Sequence, residues 1–225
     1  MKVTTDACLF GAWVANEVKN QKSKVKTVLD IGAGTGLLSL MCSQKNPSAV
    51  IDAIEVDEEA CEQAKENVSV SPFADRVNLI NADARTFSFT KKYPVIISNP
   101  PFYETEIISD DPKKNVAHHH SGLLLKELFN IITANLSPAG FFYLLLPFKR
   151  NEEIREIIFK QDLLLAKTVF VKQSPNHKYF RFMIQGKLQT DEPLQTTIDE
   201  ISIWNDQEEY TDEFNAMLSD YYLVK

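Results

Sequence analysis

Short runs of β-branched and aliphatic residues alternate along the chain with segments in which apolar residues recur at helical spacing. This alternation is typical of an α/β fold in which parallel strands form a sheet with helices on both faces. The pattern predicts strands at 25–31, 49–55, 77–81, 95–98 and 140–146. It predicts helices at 6–19, 36–45, 58–70 and 122–135. The runs 27–31 and 95–98 are almost continuously apolar, as expected for strands that are covered on both faces.

The pattern changes after Pro147. A short helix is predicted at 154–159, followed by strands at 166–172 and 179–187 that are most simply an antiparallel pair. A short strand at 200–204 and a helix at 212–222 complete the chain. We therefore predict an α/β fold with a seven-stranded mixed sheet whose last strands are antiparallel. We expect a single domain, 1–225, in which 1–147 form the core and 148–225 add the C-terminal strands and an acidic tail.

Composition narrows the class of protein. The 225 residues are 44% hydrophobic and 24% charged, which indicates a soluble globular domain and excludes disordered, collagen-like and disulfide-rich chains. The longest uncharged apolar run, 139–148, is too short for a membrane helix, which needs about 18 residues, so we expect a cytoplasmic protein. Cys8, Cys42 and Cys61 fall in predicted helices at no metal-ligand spacing, and we expect reduced, mostly buried thiols.

The charge is unevenly distributed. The net charge of -7 argues at first against a nucleic-acid partner, because phosphate binding depends on Lys and Arg. However, ten acidic residues and one basic residue lie in 191–225, which leaves the rest of the chain slightly positive. The segment 149–187 carries nine basic and four acidic residues. Charge alone leaves two interpretations open for this segment, a basic binding face or ordinary solvated faces of a helix and two strands.

A glycine-rich loop gives the strongest local signal. In the segment 28–37 (VLDIGAGTGL) an apolar strand leads into Gly32, Gly34 and Gly36 and then into a helix. Glycine allows a tight turn and a close approach of the backbone to a ligand. The spacing is G-x-G-x-G, with Leu37 where a dinucleotide-binding fingerprint has its third glycine, and no Lys-Ser/Thr pair follows as in a P-loop.

Acidic residues follow the next two strands. Glu55 ends the segment 51–55 (IDAIE), where its carboxylate can accept hydrogen bonds from both ribose hydroxyls of a nucleoside cofactor. Asp83, in 81–84 (NADA), is placed to accept a hydrogen bond from an adenine amino group, and we include its neighbour Ala84 in the predicted cofactor site. Together with Asp30 and the three glycines, these residues resemble the S-adenosylmethionine site of class I methyltransferases, which have a Rossmann-like fold. The alternative is a nucleotide-binding fold with another ligand.

The tetrapeptide 99–102 (NPPF) follows the fourth predicted strand, in the crevice where open α/β sheets bind ligands. An exocyclic aromatic amine is a poor nucleophile, because its lone pair is delocalised into the ring. The side-chain oxygen of Asn99 and the backbone carbonyl of Pro100 can accept its two N–H groups, which directs the lone pair toward a methyl donor. Pro100 and Pro101 restrict the backbone, and Phe102 can stack on an extruded base.

The alternative to this catalytic interpretation of the tetrapeptide is a structural one. Asn-Pro-Pro can simply be a turn that ends a strand. The motif also resembles that of amino methyltransferases acting on adenine, on guanine N2 or on protein glutamine. Glutamine enzymes usually have Tyr at the position of Phe102, which favours a nucleobase.

The ends of the chain extend the resemblance. The segments 1–13 (MKVTTDACLFGAW), 54–57 (IEVD) and 209–223 (EYTDEFNAMLSDYYL), taken with the two motifs above, resemble the bacterial valine-tRNA (adenine-37-N6)-methyltransferase family. This resemblance implies methylation of the adenine next to the anticodon of a valine tRNA. It also implies that Lys2, Thr5 and Asp6 line the cofactor end of the site. The strands after Phe148 would then help to hold RNA.

Further expectations concern the ends of the chain, its oligomeric state and metal binding. Family members usually have an additional basic and aromatic segment before the stretch at which this chain starts, which bears on cofactor closure and RNA affinity. We expect a monomer without a bound metal, and an acidic tail that packs away from the RNA. The segment His118–His120 can be a plain solvated loop or a lid over the base, since three consecutive side chains do not converge easily on one ion. The alternatives for function are methylation of DNA, ribosomal RNA or protein glutamine, and a catalytically silent binding module.

Overall fold

A computed structural model describes residues 3–21, 23–101, 123–191 and 194–222. The strands in these ranges are β1 (Thr27–Ile31), β2 (Val50–Glu55), β3 (Val77–Asn81), β4 (Tyr93–Ser98), β5 (Leu136–Pro147), β6 (Leu163–Lys172), β7 (Tyr179–Leu188) and β8 (Thr197–Ser202). The helices are α1 (Thr5–Lys19), α2 (Leu37–Lys45), α3 (Glu58–Ser69), α4 (Leu125–Asn135), α5 (Asn151–Lys160) and α6 (Asp212–Leu218). A 3-10 turn at Phe148–Arg150 connects β5 to α5.

All of these strands form one sheet in the order β3-β2-β1-β4-β5-β7-β6-β8. The strands β1 to β5 are parallel to one another, and β7 is antiparallel to both β5 and β6. The predicted mixed sheet with an antiparallel pair is confirmed. The order reverses between β1 and β4, so the crevice at the carboxyl ends of these two strands is where such sheets bind ligands.

Within the described residues the sheet has eight strands rather than the predicted seven. The additional member is β8, which overlaps the short strand predicted at 200–204 and pairs in parallel with β6 at the edge of the sheet. The acidic tail can supply an edge strand because the bases on β6 compensate its charges: Lys167 Nζ lies 3.6 Å from Asp199, and Lys172 Nζ lies 3.3 Å from Glu200. The strand begins at Thr197, earlier than the hydrophobic pattern of 200–204 suggests, because its first four residues are exposed and only one of them, Ile198, is apolar.

Helices cover the sheet on both sides. Residues of α1, α2 and α6 bury apolar side chains against one face, and residues of α4 and α5 bury theirs against the other. Cys8, Cys42 and Cys61 are buried in α1, α2 and α3, as predicted. No helix among the described ranges is long and apolar enough to cross a membrane.

The acidic tail packs against the end of α2 that is remote from the glycine loop. Gln44 Nε2 donates to the Asp220 carbonyl across 2.6 Å, and Lys45 forms an ion pair with the Asp220 carboxylate. The Tyr221 hydroxyl donates to the Met41 carbonyl across 3.0 Å. These contacts hold the tail against the C-terminal end of α2, whereas the N-terminal end of that helix adjoins the glycine loop.

Candidate functional site

A cavity of about 910 Å³ opens at the carboxyl ends of the central strands. The loops that follow β1, β2, β3 and β4 supply most of its wall, and the start of α1 and a residue of β7 complete it. These elements meet because the carboxyl ends of parallel strands lie at the same edge of a sheet. The cavity therefore unites segments that are far apart in the sequence.

The glycine loop forms one side of this cavity. Gly32, Gly34 and Gly36 have φ values of +71°, +56° and +85°, a left-handed backbone that L side chains rarely adopt. The backbone N–H groups of Gly32 and Ala33 donate to the Ile54 carbonyl at the end of β2. A Cβ added at Gly32 would meet no atom within 4 Å. Gly32 thus presents bare backbone to the cavity.

Glu55 joins this loop to the end of β2. Its carboxylate is buried and accepts the N–H of Gly34 at Oε2 across 2.7 Å and the N–H of Asp57 at Oε1 across 2.9 Å. Each carboxylate oxygen can accept a further hydrogen bond. The two backbone bonds fix the orientation of the carboxylate, and Glu55 lines the cavity.

Asp30 lies behind the loop rather than in the cavity wall. It is fully buried, and its Oδ2 accepts a 2.6 Å hydrogen bond from the Ser39 hydroxyl of α2. Within the described part of the chain, its Oδ1 has no partner. Burial raises the pKa of Asp30 to about 7; the Ser39 hydrogen bond opposes this shift, and the charge of Glu55 adds to it.

Asp83 lines the cavity beyond Glu55. The Arg85 guanidinium binds both of its oxygens, with Nη2 at 2.6 Å from Oδ2, and the Arg85 backbone N–H donates to Oδ1 across 2.9 Å. These hydrogen bonds hold the pKa of Asp83 below its usual range, so the carboxylate stays ionised near neutral pH. Ala84 also lies in the wall.

The tetrapeptide begins on the opposite side of the cavity from Asp83, at the end of β4. Ser98 is buried, and its hydroxyl donates to the Ile31 carbonyl across 2.7 Å, which ties the end of β4 to the end of β1. Asn99, Pro100 and Pro101 line the cavity. Asn99 Oδ1 is buried, and no other described residue donates to it. A buried acceptor without a partner is unusual, because it loses its hydration without compensation. Its position in the cavity wall makes it available to an N–H group of a ligand.

The start of α1 closes the cavity. Val3, Thr4, Asp6 and Ala7 contribute to its wall. Two further predicted site residues do not line the cavity, although their neighbours do: Thr5 at the start of α1 and Gly36 in the glycine loop. Lys2, Phe102 and the segment His118–His120 lie outside the described residues.

Arg181 is a cavity residue that the sequence analysis did not identify. It lies on β7, and its Nε donates to Asp6 Oδ2 across 2.9 Å. The only sequence signal is an arginine in an otherwise apolar and aromatic run at 179–184. The position of β7 beside β5, which brings Arg181 to the site, is a long-range feature that local patterns do not show.

Comparisons with known proteins show which family the chain resembles. A family model described as Methyltransferase small domain matches residues 13–127. The tRNA1(Val) (adenine(37)-N6)-methyltransferase of Dyadobacter fermentans is 41% identical over 82% of this chain and 75% of its own length. The enzyme of the same name from Christiangramia forsetii is 35% identical over 99% of this chain and 91% of its own length.

A solved structure resembles the fold. The structure of a predicted O-methyltransferase from Agrobacterium tumefaciens matches with a TM-score of 0.71 at 12% identity, over 96% of this chain and 97% of that one. At this identity the likeness concerns the fold alone. It confirms the Rossmann-like class I methyltransferase fold predicted from the sequence.

Proposed function

This chain belongs to the Methyltransferase small domain family and, within it, to the tRNA1(Val) (adenine(37)-N6)-methyltransferases, and on that premise we propose how its site methylates adenine. The protein is an S-adenosylmethionine-dependent methyltransferase that transfers a methyl group to the exocyclic amine, N6, of adenine 37 in a valine tRNA. We propose that the whole chain, 1–225, works as one catalytic domain and acts as a monomer in the cytoplasm without a metal ion.

The buried and unpartnered Oδ1 of Asn99 is the observation that carries the proposal. The reaction needs an acceptor for an amine N–H at this point, and the carbonyl of Pro100, which also lines the cavity, is proposed to accept the second one. With both N–H groups held, the nitrogen lone pair is directed into the cavity. Pro100 and Pro101 limit the backbone freedom of both acceptors. Phe102 is proposed to stack on the adenine.

The residues on the other side of the cavity suit S-adenosylmethionine. Glu55 is oriented by Gly34 and Asp57 to accept the ribose hydroxyls, and the ionised Asp83 is available to the adenine amino group. Gly32 leaves room for the cofactor at the backbone, and Gly34 fixes Glu55. Asp6 and Ala84 are the remaining wall residues proposed for this part of the site, and Lys2 is proposed for it as well. Thr5, Asp30 and Gly36 do not line the cavity and are proposed to support the segments that do. The cofactor supplies an electrophilic methyl group on a sulfonium.

The proton needs no dedicated base in this scheme. Transfer of the methyl group to N6 produces a cationic amine, which is a strong acid. Asn99 Oδ1 and the Pro100 carbonyl hold the two N–H groups of the substrate throughout, and one of these protons leaves to solvent after the transfer. The residues of the site therefore act by orientation and by hydrogen bonding.

The direct test is transfer of labelled methyl from S-adenosylmethionine to unmodified valine tRNA. Total RNA without that tRNA, duplex DNA and total protein serve as parallel substrates. We expect the label on N6 of adenine 37. Label in DNA or protein alone would support the proposed cofactor site and refute tRNA as the substrate. Cofactor binding without any transfer would indicate a non-catalytic module.

A further inference from the structure

Arg85 lies between two carboxylates at the end of the cavity proposed for the cofactor adenine. Its Nε and Nη2 lie 2.9 Å and 2.6 Å from Asp83 Oδ2, and its Nη1 lies 3.9 Å from Glu127 Oε2. Asp83 follows β3, and Glu127 is in the first turn of α4. The guanidinium therefore bridges the loop after β3 and the segment at the start of α4, and both contribute to the cavity wall, through Ala84 and Leu123.

Arg85 occupies the acceptor sites of Asp83. Besides its contacts with Oδ2, Nε lies 3.0 Å from Oδ1, and the Arg85 backbone N–H donates to Oδ1 across 2.9 Å. Each oxygen thus has two N–H contacts, and an ionised carboxylate has about four lone-pair sites. The adenine amino group is proposed to donate to the same carboxylate, so it competes with the Arg85 side chain for these sites. Asp83 becomes available to the amino group when the guanidinium gives up some of its contacts.

Glu127 offers the guanidinium a second partner. Glu127 Oε2 accepts the N–H of Leu124 across 2.9 Å, which holds the carboxylate at the start of α4. Since Nη1 is already 3.9 Å from this oxygen, a rotation of the guanidinium toward Glu127 replaces one carboxylate partner with another. The hydrogen bonds with Asp83 raise the pKa of Arg85, and the charges of Asp83 and Glu127 add to the shift, so both carboxylates stabilise the cation.

The energetic cost of such an exchange is small. The side chains of Asp83, Arg85 and Glu127 are 29%, 34% and 36% exposed. Ion pairs that are accessible to solvent contribute little, because water screens the charges and the side chains lose freedom when they pair. A hydrogen bond from the adenine amino group to an ionised carboxylate is charge-assisted, and it can offset the contacts that Asp83 loses.

We propose that Arg85 determines the affinity of the site for the adenine base by exchanging its partner: it pairs with Asp83 in the free protein and with Glu127 once the adenine amino group donates to Asp83. This inference rests on the proposed function, because it takes S-adenosylmethionine as the ligand. Arg85 acts through Asp83 and is a positioning residue. A fixed clamp, in which Arg85 keeps Asp83 in place for the adenine, predicts the opposite effect when Arg85 is removed.

The test measures the binding of two probes by isothermal titration calorimetry, without turnover. S-adenosylhomocysteine is the cofactor without its transferable methyl group, and S-inosylhomocysteine has an oxygen in place of the adenine amino group. The variants are Arg85→Ala, Glu127→Gln and the two combined. Arg150→Ala is the matched control, since Arg150 is 35% exposed and binds Glu153 through Nε and Nη2, each across 2.7 Å, on the turn after β5.

We expect Arg85→Ala to lower the Kd of S-adenosylhomocysteine about two- to fivefold, because the adenine amino group no longer competes for Asp83. The Kd of S-inosylhomocysteine should not fall, since this probe has no amino group to donate. Glu127→Gln keeps an oxygen acceptor for the Leu124 N–H and loses the charge that attracts Arg85, so it should raise the Kd of S-adenosylhomocysteine about twofold or more. It should have no effect in the Arg85→Ala background, and Arg150→Ala should match the intact protein.

Three results would overturn the inference. A higher or unchanged Kd for S-adenosylhomocysteine in Arg85→Ala would show that Arg85 does not compete with the amino group for Asp83. Equal decreases in Kd for both probes would reduce the role of Arg85 to a general charge effect. An effect of Glu127→Gln that persists without Arg85 would remove Glu127 as the second partner. Since the titration needs no turnover, a protein that binds the probe without methylating tRNA would refute the proposed function and still decide the role of Arg85.

Discussion

The backbone N–H of Gly34 donates to Glu55 Oε2 across 2.7 Å and thereby joins the loop after β1 to the end of β2. The same carboxylate accepts the N–H of Asp57 at its other oxygen. Glu55 is thus oriented before any ligand arrives, which reduces the entropy that binding must overcome. The loop and its acidic partner form one preorganised unit, although 21 residues separate them in the sequence.

Replacement of this carboxylate tests its role in cofactor binding. We expect Glu55→Gln to raise the Kd of S-adenosylmethionine about 10- to 100-fold, because a neutral amide oxygen is a weaker acceptor for ribose hydroxyls than a carboxylate. At saturating cofactor, kcat should change little. Isothermal titration calorimetry measures the first quantity and steady-state kinetics the second.

The matched control is Glu62→Gln. Glu62 lies on α3, pairs with Lys65 and is 61% exposed, so this variant removes the same charge outside the cavity. Its Kd for the cofactor should equal that of the intact protein. Equal Kd values for Glu55→Gln and the intact protein would remove Glu55 from the cofactor site.

Replacement of Asn99, the proposed amine acceptor, should have the opposite kinetic effect to replacement of Glu55. Asn99→Ala removes the unpartnered Oδ1. We expect kcat to fall about 100-fold or more, because this hydrogen bond acts in the reacting geometry, with little change in the Kd of S-adenosylmethionine. Rapid-quench measurement of methyl transfer, together with calorimetry of the cofactor, separates the two effects. A parallel loss of cofactor affinity would argue against the role assigned to Asn99.

The sequence predicted the parts of the site that depend on short motifs. Gly32, Glu55 and Asn99 each lie at the carboxyl end of a mostly apolar strand, and a parallel sheet brings these ends together. Arg181 was missed because its place in the site depends on the pairing of β7 with β5, a long-range contact. The position of β8 was missed for the same reason, since its pairing with β6 compensates charges that lie far apart in the chain.

Asp30 shows a second limit of predicting a site from sequence motifs. It stands beside the glycine loop in the sequence, yet its side chain points to Ser39 of α2. Side chains alternate along a strand, and Val28 on the same side of β1 packs in the core formed with α1 and α2. The alternation, rather than the motif, decides which way this carboxyl group faces.

Alanine substitutions at Gly32 and Gly36 distinguish the effect of backbone strain from the effect of lost space for the ligand. Gly32 and Gly36 both have positive φ values, so an alanine at either position should cost about 1–2 kcal/mol of stability. Gly32 lines the cavity, and an added Cβ there meets open space, whereas at Gly36 it would meet the Ala64 Cβ at an ordinary 3.5 Å. We expect Gly32→Ala to lose stability and cofactor affinity, and Gly36→Ala to lose stability with a much smaller effect on affinity. Thermal denaturation and calorimetry of both variants measure the difference, and equal affinity losses would show that Gly32 is not a cofactor contact.

The buried carboxyl group of Asp30 makes stability depend on pH. Its pKa is raised from 3.8 to about 7, mainly by burial, so between these values the folded protein holds a proton that the unfolded chain has released. Stability falls with increasing pH wherever the folded state binds more protons. The contribution of Asp30 is therefore most favourable below pH 3.8 and declines up to about pH 7. Burial is the largest cause of the shift, while the Ser39 hydrogen bond lowers this pKa and the charge of Glu55 raises it.

Asp30→Asn isolates that contribution. An asparagine keeps the acceptor for Ser39 and does not titrate, so any constant cost of burying its amide cancels when one pH is compared with another. We expect the Tm of the variant relative to the intact protein to rise by about 5 °C or more between pH 5 and pH 8, since each unit of pKa shift corresponds to roughly 1.4 kcal/mol. Calorimetric melting of both proteins across this range measures the difference. A constant or decreasing difference would mean that Asp30 is ionised in the folded protein throughout, and that Ser39 and the loop backbone stabilise its charge.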